Sequence, residues 1–172
     1  RQRRNHALML EVWTQLAGDL SVDAMPRLDI LGQPGWRGEE IAQSIRAHPQ
    51  FGKTLFLETA ASDAALAQAF ADADTLLYPT LAEGFGLPPH EALDHGLLPI
   101  CSDLPVLRAG LGADAVYADT GDVYYWVETI KKRISGTLTV PAERTGTRPE
   151  WQDHFGRVSA ALAGLRDRAE RP

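Results

Sequence analysis

The sequence has little cysteine, no long apolar run and no excess of positive charge, and each lack excludes a class of protein. Its one cysteine, Cys101, excludes an intramolecular disulfide scaffold and a cysteine-based zinc cluster, and it is compatible with a reducing compartment. No apolar run approaches the roughly 20 residues of a membrane span. The formal net charge of -6 argues against a nucleic-acid partner, because domains that bind nucleic acids usually carry a basic excess.

What is present is the composition of one globular domain. The 172 residues are 44% hydrophobic and 23% charged, which excludes disorder as the main state. The chain opens on Arg1-Gln2-Arg3-Arg4, without an initiator methionine or a signal peptide, so we expect a fragment or a processed chain. Residues 135–149 resemble a linker, but they leave one helix beyond them, so no second domain is expected.

Helical patterns alternate with short apolar runs along the chain. Apolar spacing and helix-start signals predict helices near residues 9–20, 41–45, 62–73, 88–96, 123–134 and 151–168. Short apolar runs predict buried strands near residues 28–31, 54–57, 76–78, 98–101 and 116–117. This alternation predicts the α/β fold class, a Rossmann-like parallel sheet with helices on both faces. Ligands bind at the carboxyl ends of such strands, so function is expected in the loops after Leu31, Leu57, Tyr78 and Cys101.

The loop after Tyr78 carries the most information. Gly84 and Gly86 let backbone amides come close to a ligand. A helix that begins near Pro88-Pro89 directs its positive end to the same place, which favours phosphate. The sequence therefore predicts an anion-binding loop at the end of the third strand.

Two carboxylates flank this loop. Glu91 is predicted in the first turn of the helix, where its two oxygens match the two hydroxyls of a ribose. Glu83 lies in the loop and can accept hydroxyls of a second sugar. A structural interpretation stays open, because Thr80 and Glu83 have the spacing of a capping box and Glu91 would interact with the helix dipole. The dinucleotide-binding fingerprint is absent, since Pro89 occupies its third glycine position.

The same stretch closely resembles the retaining glycosyltransferases of family four, which have the GT-B fold. The resemblance is carried by Glu83-Gly84-Phe85-Gly86-Leu87-Pro88, then Glu91-Ala92-Leu93, Gly96, Pro99, Ser102-Asp103 and Pro105. Upstream, Asn5-His6 fits the family's order, as do Asp114-Ala115-Val116-Tyr117 and Gly121-Asp122 downstream. The resemblance extends from residue 3 to about residue 165. It is specific for the superfamily but not for one sugar.

The resemblance implies a two-domain enzyme in which this chain is the C-terminal, donor-binding half. Residues 1–172 would form a single nucleotide-sugar-binding domain, truncated at its N-terminus, and the N-terminal acceptor domain would be absent. The first strand of this half would be absent too. In the family that strand ends just before an Arg-Lys-Asn segment, which here reads Arg3-Arg4-Asn5.

The resemblance also assigns roles to residues of the predicted site. Glu91 would hold the ribose hydroxyls, and Glu83, the catalytic candidate, would contact the donor sugar. The remaining donor-binding residues would be Arg3 and Arg4 at the diphosphate, Phe85, Gly86 and Leu87 through their amides, Thr59 beside the base, and Gly84 in the loop. The sequence departs from the family at Glu58, where glycine is usual, and at Ala109, where glutamate is common.

The implied reaction moves a hexosyl group from a nucleotide diphosphate sugar to a hydroxyl, with retention. The donor would be GDP- or UDP-linked and the acceptor a glycan or a lipid-linked molecule. Positive side chains and amides would stabilise the leaving diphosphate, so neither a metal nor another cofactor is expected. The implied location is the cytoplasm, with peripheral attachment to the inner membrane through the missing domain as an alternative. We expect the fragment alone to be inactive, because cleft closure needs both halves.

Two other functions compete with this one. A non-catalytic nucleotide-sugar-binding or interaction module would retain the same residues without turnover. A flavodoxin-like receiver domain fits the alternating pattern, but it needs an acidic cluster at the end of a first strand. Two further side chains have open roles: His90 either touches the donor or is an exposed helix residue, and Cys101 is expected to pack as a small hydrophobic residue.

Overall fold

The chain forms a Rossmann-like α/β fold, seen in a computed structural model that describes residues 4–33, 35, 38–140, 155–156, 158–160 and 162. Helices and strands alternate in the order α1 (His6–Asp19), a 3-10 turn (Val22–Ala24), β1 (Leu28–Leu31), α2 (Gly38–Arg46), β2 (Leu55–Glu58), α3 (Asp63–Asp72), β3 (Thr75–Tyr78), α4 (Leu87–Asp94), β4 (Leu98–Ser102), α5 (Pro105–Leu111), β5 (Val116–Ala118) and α6 (Val123–Ile134). Residues 155–156, 158–160 and 162 are helical, and the rest of the predicted last helix lies outside the described residues.

All strand pairs are parallel, as predicted, but they form two ladders. One ladder has the order β1-β2 and the other the order β3-β4-β5. β1 and β3 share no ladder in the part of the chain that the structure describes.

Helices cover both faces of the three-stranded ladder. Successive strand residues point to opposite faces, and here they alternate between two hydrophobic clusters: Ile100 belongs to one and its neighbour Cys101 to the other. The first cluster contains residues of α1 and α6, among them Trp13 and Trp126. The second contains residues of α4 and α5, among them Leu107. The predicted coverage of the sheet on both faces is therefore confirmed.

One detail of the predicted helices is wrong. Helix α4 begins at Leu87, so Glu91 is its fifth residue and lies in the second turn rather than the first. The helix starts one residue earlier than Pro88 because Gly86, in the left-handed conformation, is its N-cap. Helix α3 is confirmed: it follows Ser62, whose side chain caps it by accepting from the Ala65 amide, although none of its residues is buried.

Candidate functional site

The beginning of α1 and the end of β3 meet at the carboxyl edge of the second ladder. Asn5 donates its backbone N–H to the carbonyl of Pro79 at 2.8 Å, and Arg4 pairs with Thr80 in an antiparallel bridge. The side chain of Asn5 then caps α1 by accepting from the Leu8 amide at 3.2 Å. These contacts fix the backbone of Arg4 beside the loop that follows Tyr78.

Three side chains of this edge form one hydrogen-bonded cluster. The Arg4 guanidinium donates to Glu83 Oε2 at 2.8 Å and to the Tyr78 hydroxyl at 2.5 Å. The Tyr78 hydroxyl donates to the same Glu83 oxygen at 2.5 Å. The guanidinium carbon lies 4.0 Å from the centre of the Tyr78 ring, so a cation–π contact adds to the ion pair. Two predicted site residues, Arg4 and Glu83, are thus brought together by a third that the sequence did not indicate.

The cluster keeps Glu83 ionised. Partial burial opposes ionisation, but hydrogen bonds from Tyr78, Arg4 and the Gly84 amide, together with the charge of Arg4, lower the pKa of Glu83 to about 2. The pKa of Tyr78 is raised by burial and by its hydrogen bond to Glu83, so its hydroxyl keeps its proton. The site therefore contains an ionised Glu83 carboxylate that is hydrogen-bonded by the positively charged Arg4 guanidinium and by the neutral Tyr78 hydroxyl.

The loop that carries Glu83 is attached to the sheet through buried polar contacts. The buried Thr80 donates its amide to the Ser102 hydroxyl of β4 at 2.7 Å. Its own hydroxyl donates to the Ala82 carbonyl at 3.0 Å and accepts from Arg4 at 3.0 Å. Thr80 and Glu83 therefore do not form a capping box, because both side chains are engaged in the loop and α4 begins only at Leu87.

The two glycines of the loop have different environments. Gly86 is buried with φ of 85°, and a Cβ there would lie 2.5 Å from Leu107 Cδ2. Glycine is thus required at this position by both conformation and space. Gly84 is exposed, and a Cβ there would meet no atom within 4 Å. Gly84 is therefore open to an approaching ligand, whereas Gly86 is packed against Leu107.

The other predicted residues surround this cluster or lie apart from it. Phe85 and Leu87 have exposed side chains at the start of α4. Glu91 is exposed on the second turn of α4, and no described hydrogen bond joins it to Glu83. Thr59 is half-buried directly after β2, at the carboxyl edge of the other ladder. Arg3 lies outside the described residues.

Two side chains with open roles are now placed. His90 is half-buried, and its ring stacks on Phe85 with centroids 4.9 Å apart, so it is not the exposed helix residue that was one expectation. Cys101 is buried in the second cluster, where burial raises the pKa of its thiol to about 12. It packs as the small hydrophobic residue that the sequence predicted.

Tyr78 is a member of the site that the sequence does not predict. The apolar run predicts it only as the end of a buried strand, and its ring does pack against the second cluster. Its polar hydroxyl is the signal that could have indicated a site, since a buried tyrosine generally needs a hydrogen-bond partner for its hydroxyl. At the last position of a strand, that partner comes from the loop that follows.

Within the described residues, no group of three potential ligand side chains could hold a metal ion. No helix among those residues is long and apolar enough to cross a membrane.

Fold and site together define a Rossmann-like α/β domain with an anionic and a cationic group at its carboxyl edge. A family model described as "Glycosyl transferases group 1" matches residues 1–135. The chain belongs to this family, which confirms at family level the resemblance seen in the sequence.

The chain is also similar to three curated enzymes. It is 38% identical over 81 residues to the serotype-specific mannosyltransferase WbdA of Escherichia coli, a match that covers 47% of this chain and 10% of that protein. It is 39% identical over 62 residues to the O-antigen chain mannosyltransferase RfbU of Salmonella typhimurium, covering 36% and 18%. It is 32% identical over 96 residues to the O-antigen chain mannosyltransferase B of Escherichia coli, covering 56% and 25%. The chain thus spans a quarter or less of these relatives.

Proposed function

We propose that this chain is the C-terminal, donor-binding part of a retaining hexosyltransferase. The reaction transfers a hexosyl group from a nucleotide diphosphate sugar to a hydroxyl of a glycan or a lipid-linked acceptor. The observation that supports the proposal is the ion pair of Arg4 and Glu83 beside the loop that contains Gly86, because a cation of the kind that binds diphosphate lies next to a carboxylate of the kind that accepts sugar hydroxyls. All three relatives are named mannosyltransferases, which favours a mannosyl donor, and two of them are named for the O-antigen chain, which favours a polysaccharide product of that type.

The diphosphate would be bound by Arg4 and by the start of α4. Among the first four residues of α4, only Leu87 and His90 have an amide N–H, because Pro88 and Pro89 have none. These amides lie at the positive end of the helix dipole. Arg4 is one-third exposed, so part of its planar guanidinium is accessible to phosphate oxygens. As the bond between the anomeric carbon and the phosphate oxygen breaks, its electron pair stays on the diphosphate. These groups then stabilise the growing charge, and no metal is required for this step.

The carboxylate of Glu83 would accept hydroxyls of the donor sugar. Because its pKa is about 2, it carries no proton near neutrality and is not a general acid. Its charge also stabilises the positive character that the sugar ring develops as the donor bond breaks. The acceptor hydroxyl forms the new bond on the same face of the sugar, and its proton passes to the leaving phosphate oxygen.

The nucleoside would lie along α4 and the end of β2. Glu91 is exposed on α4 and would accept the two ribose hydroxyls, while the backbone near Thr59 would contact the base. Transfer would require the acceptor-binding part of the complete protein. That protein would work in the cytoplasm or at the surface of the inner membrane.

The ribose assignment is tested with Glu91→Ala in the complete polypeptide, measured by calorimetry with GDP-mannose and with UDP-linked sugars. We expect at least a tenfold loss of donor affinity, because hydrogen bonds to a charged group are removed. The matched control is Glu11→Ala, which removes an exposed helical carboxylate of α1. Unchanged affinity in Glu91→Ala would refute the assignment.

A second measurement distinguishes the enzyme from a non-catalytic binding module. Turnover of labelled donor by the complete polypeptide, as transfer or as donor hydrolysis, is the result expected of the enzyme. Saturable binding with neither reaction would support the module instead.

A further inference from the structure

The Tyr78 hydroxyl occupies a fixed point in the site. Its ring is 4% exposed and packs among residues of β4, α4 and α5, including Cys101, Leu93 and Leu107. Its hydroxyl accepts from Arg4 and donates to Glu83 Oε2, each at 2.5 Å. Arg4 lies in an isolated β-bridge and Glu83 lies in a loop, whereas Tyr78 is the last residue of strand β3. Tyr78 is therefore the most rigidly mounted member of the cluster.

The two oxygens of Glu83 are used differently. Oε2 accepts from both Arg4 and Tyr78, and Oε1 accepts from the Gly84 amide at 3.1 Å. An ionised carboxylate oxygen accepts about two hydrogen bonds. Oε2 is thus fully engaged, and Oε1 has room for a hydroxyl of a ligand.

A diphosphate that binds Arg4 competes directly with Glu83, because both are anions and Arg4 Nη1 contacts the carboxylate. The Tyr78 hydroxyl is neutral, so a phosphate attracts it less strongly than it attracts the Arg4 guanidinium. We propose that Tyr78 is a positioning residue, whose hydroxyl holds the Glu83 carboxylate in place for the donor sugar while Arg4 turns to the diphosphate. This inference rests on the proposed function and deepens it.

The same ring also borders the glycine loop. A Cβ at Gly86 would lie 3.9 Å from Tyr78 Cε1, so the ring lies close to the backbone that leads into α4. A phenylalanine can fill this space and leaves the apolar contacts in place. The hydroxyl is therefore separable from the packing, and its loss reports on its hydrogen bonds with Glu83 and Arg4.

The test is Tyr78→Phe in the complete polypeptide, with kcat, donor KM and melting temperature measured together. We expect kcat to fall about 10- to 100-fold, with donor KM changed less than about threefold and the melting temperature nearly unchanged. The control is Tyr117→Phe, which removes the hydroxyl of another tyrosine packed against the same cluster. That hydroxyl donates to the Gly112 carbonyl at 2.7 Å and has no part in the Glu83 contacts.

A wild-type kcat in Tyr78→Phe, or equal losses in the two variants, would overturn the inference. A second readout uses binding alone: Tyr78→Phe should lower the affinity for the nucleotide sugar by no more than about threefold, in line with the small change in KM, and should leave the affinity for the nucleoside diphosphate unchanged. A loss of affinity for the nucleoside diphosphate as large as the loss in kcat would also count against it. If the wild-type polypeptide binds no nucleotide sugar, the proposed function itself fails, and this inference fails with it.

Discussion

At the scale of single residues, the site depends on how one acid is paired. Glu83 has a side chain that is 10% exposed, and it faces a guanidinium and a phenol rather than bulk water. A buried carboxylate without such partners would take up a proton near neutrality. The pairing therefore keeps Glu83 ionised near neutrality, so its oxygens accept hydrogen bonds and have no proton to donate.

The same pairing predicts a dependence of stability on pH. A carboxyl group whose pKa is lowered by folding stabilises the protein above the pKa of the unfolded chain, near 4.5, and this contribution is lost as pH falls toward about 2. We expect the free energy of unfolding to fall more between pH 6 and pH 3 in the wild type than in Glu83→Gln, by about 1 kcal/mol after solvent screening. Urea denaturation at the two pH values measures the difference. Parallel pH curves would contradict the pairing.

At the scale of elements, the loop between β3 and α4 contains one glycine that the fold needs for stability and another that is proposed to admit the donor. Gly86 caps α4 in a conformation that other residues adopt at a cost, and it packs against Leu107. Gly84 precedes it by two residues and touches nothing on its open side. Substitutions at these two glycines are therefore expected to have separate effects.

We predict that Gly86→Ala lowers the free energy of unfolding by about 1–3 kcal/mol, because the added Cβ is strained and overlaps Leu107. Gly84→Ala should change it by less than about 0.5 kcal/mol, since its Cβ has room. Chemical denaturation of both variants makes the comparison. Gly84→Ala should instead reduce donor affinity, which calorimetry measures. Equal destabilisation by the two substitutions would show that the loop differs from this description.

Much of the secondary structure could be predicted from the sequence, but the candidate site could be predicted only in part. The apolar runs gave β1, β3 and β4 within a residue of their observed bounds, because buried parallel strands are continuous apolar segments. Helix α5 was missed, since its seven residues are too few to establish a helical period. The position of Glu91 was misjudged because a glycine cap set the start of α4.

The contact between Arg4 and Glu83 could not be obtained from spacing. The two residues are 79 positions apart, and their meeting depends on the bridge between Arg4 and Thr80. Family resemblance placed both at the donor, but it gave no geometry. The path of the loop after Tyr78 decides which groups touch, and local propensity does not determine that path.

At the scale of the whole molecule, α1 and α6 pack together on one face of the second ladder. Trp13 and Trp126 are fully buried there, and the Trp126 indole donates to the Asp119 carbonyl at 2.9 Å. On the surface of the same pair, Lys131 bonds to Asp19 at 2.6 Å and to Glu128 at 3.0 Å. Apolar burial and a surface ion pair thus hold the same two helices.

We expect the apolar contribution to dominate. Trp126→Ala should cost about 3–5 kcal/mol through cavity formation and the loss of its hydrogen bond. Lys131→Ala should cost far less, because exposed ion pairs contribute little and weaken with salt. Chemical denaturation of both variants in low and high salt measures these values. A larger effect of Lys131→Ala would show that charge, not burial, joins the helices.

The backbone hydrogen bond from Asn5 to Pro79 has a mechanical consequence. It ties the first turn of α1 to the loop, so a displacement of the polypeptide at Asn5 carries the neighbouring guanidinium with it. Because that guanidinium is in contact with Glu83 and Tyr78, a displacement of Asn5 would also alter the hydrogen bonds of these two side chains. The carboxyl edge of the second ladder is thereby mechanically connected to the start of α1.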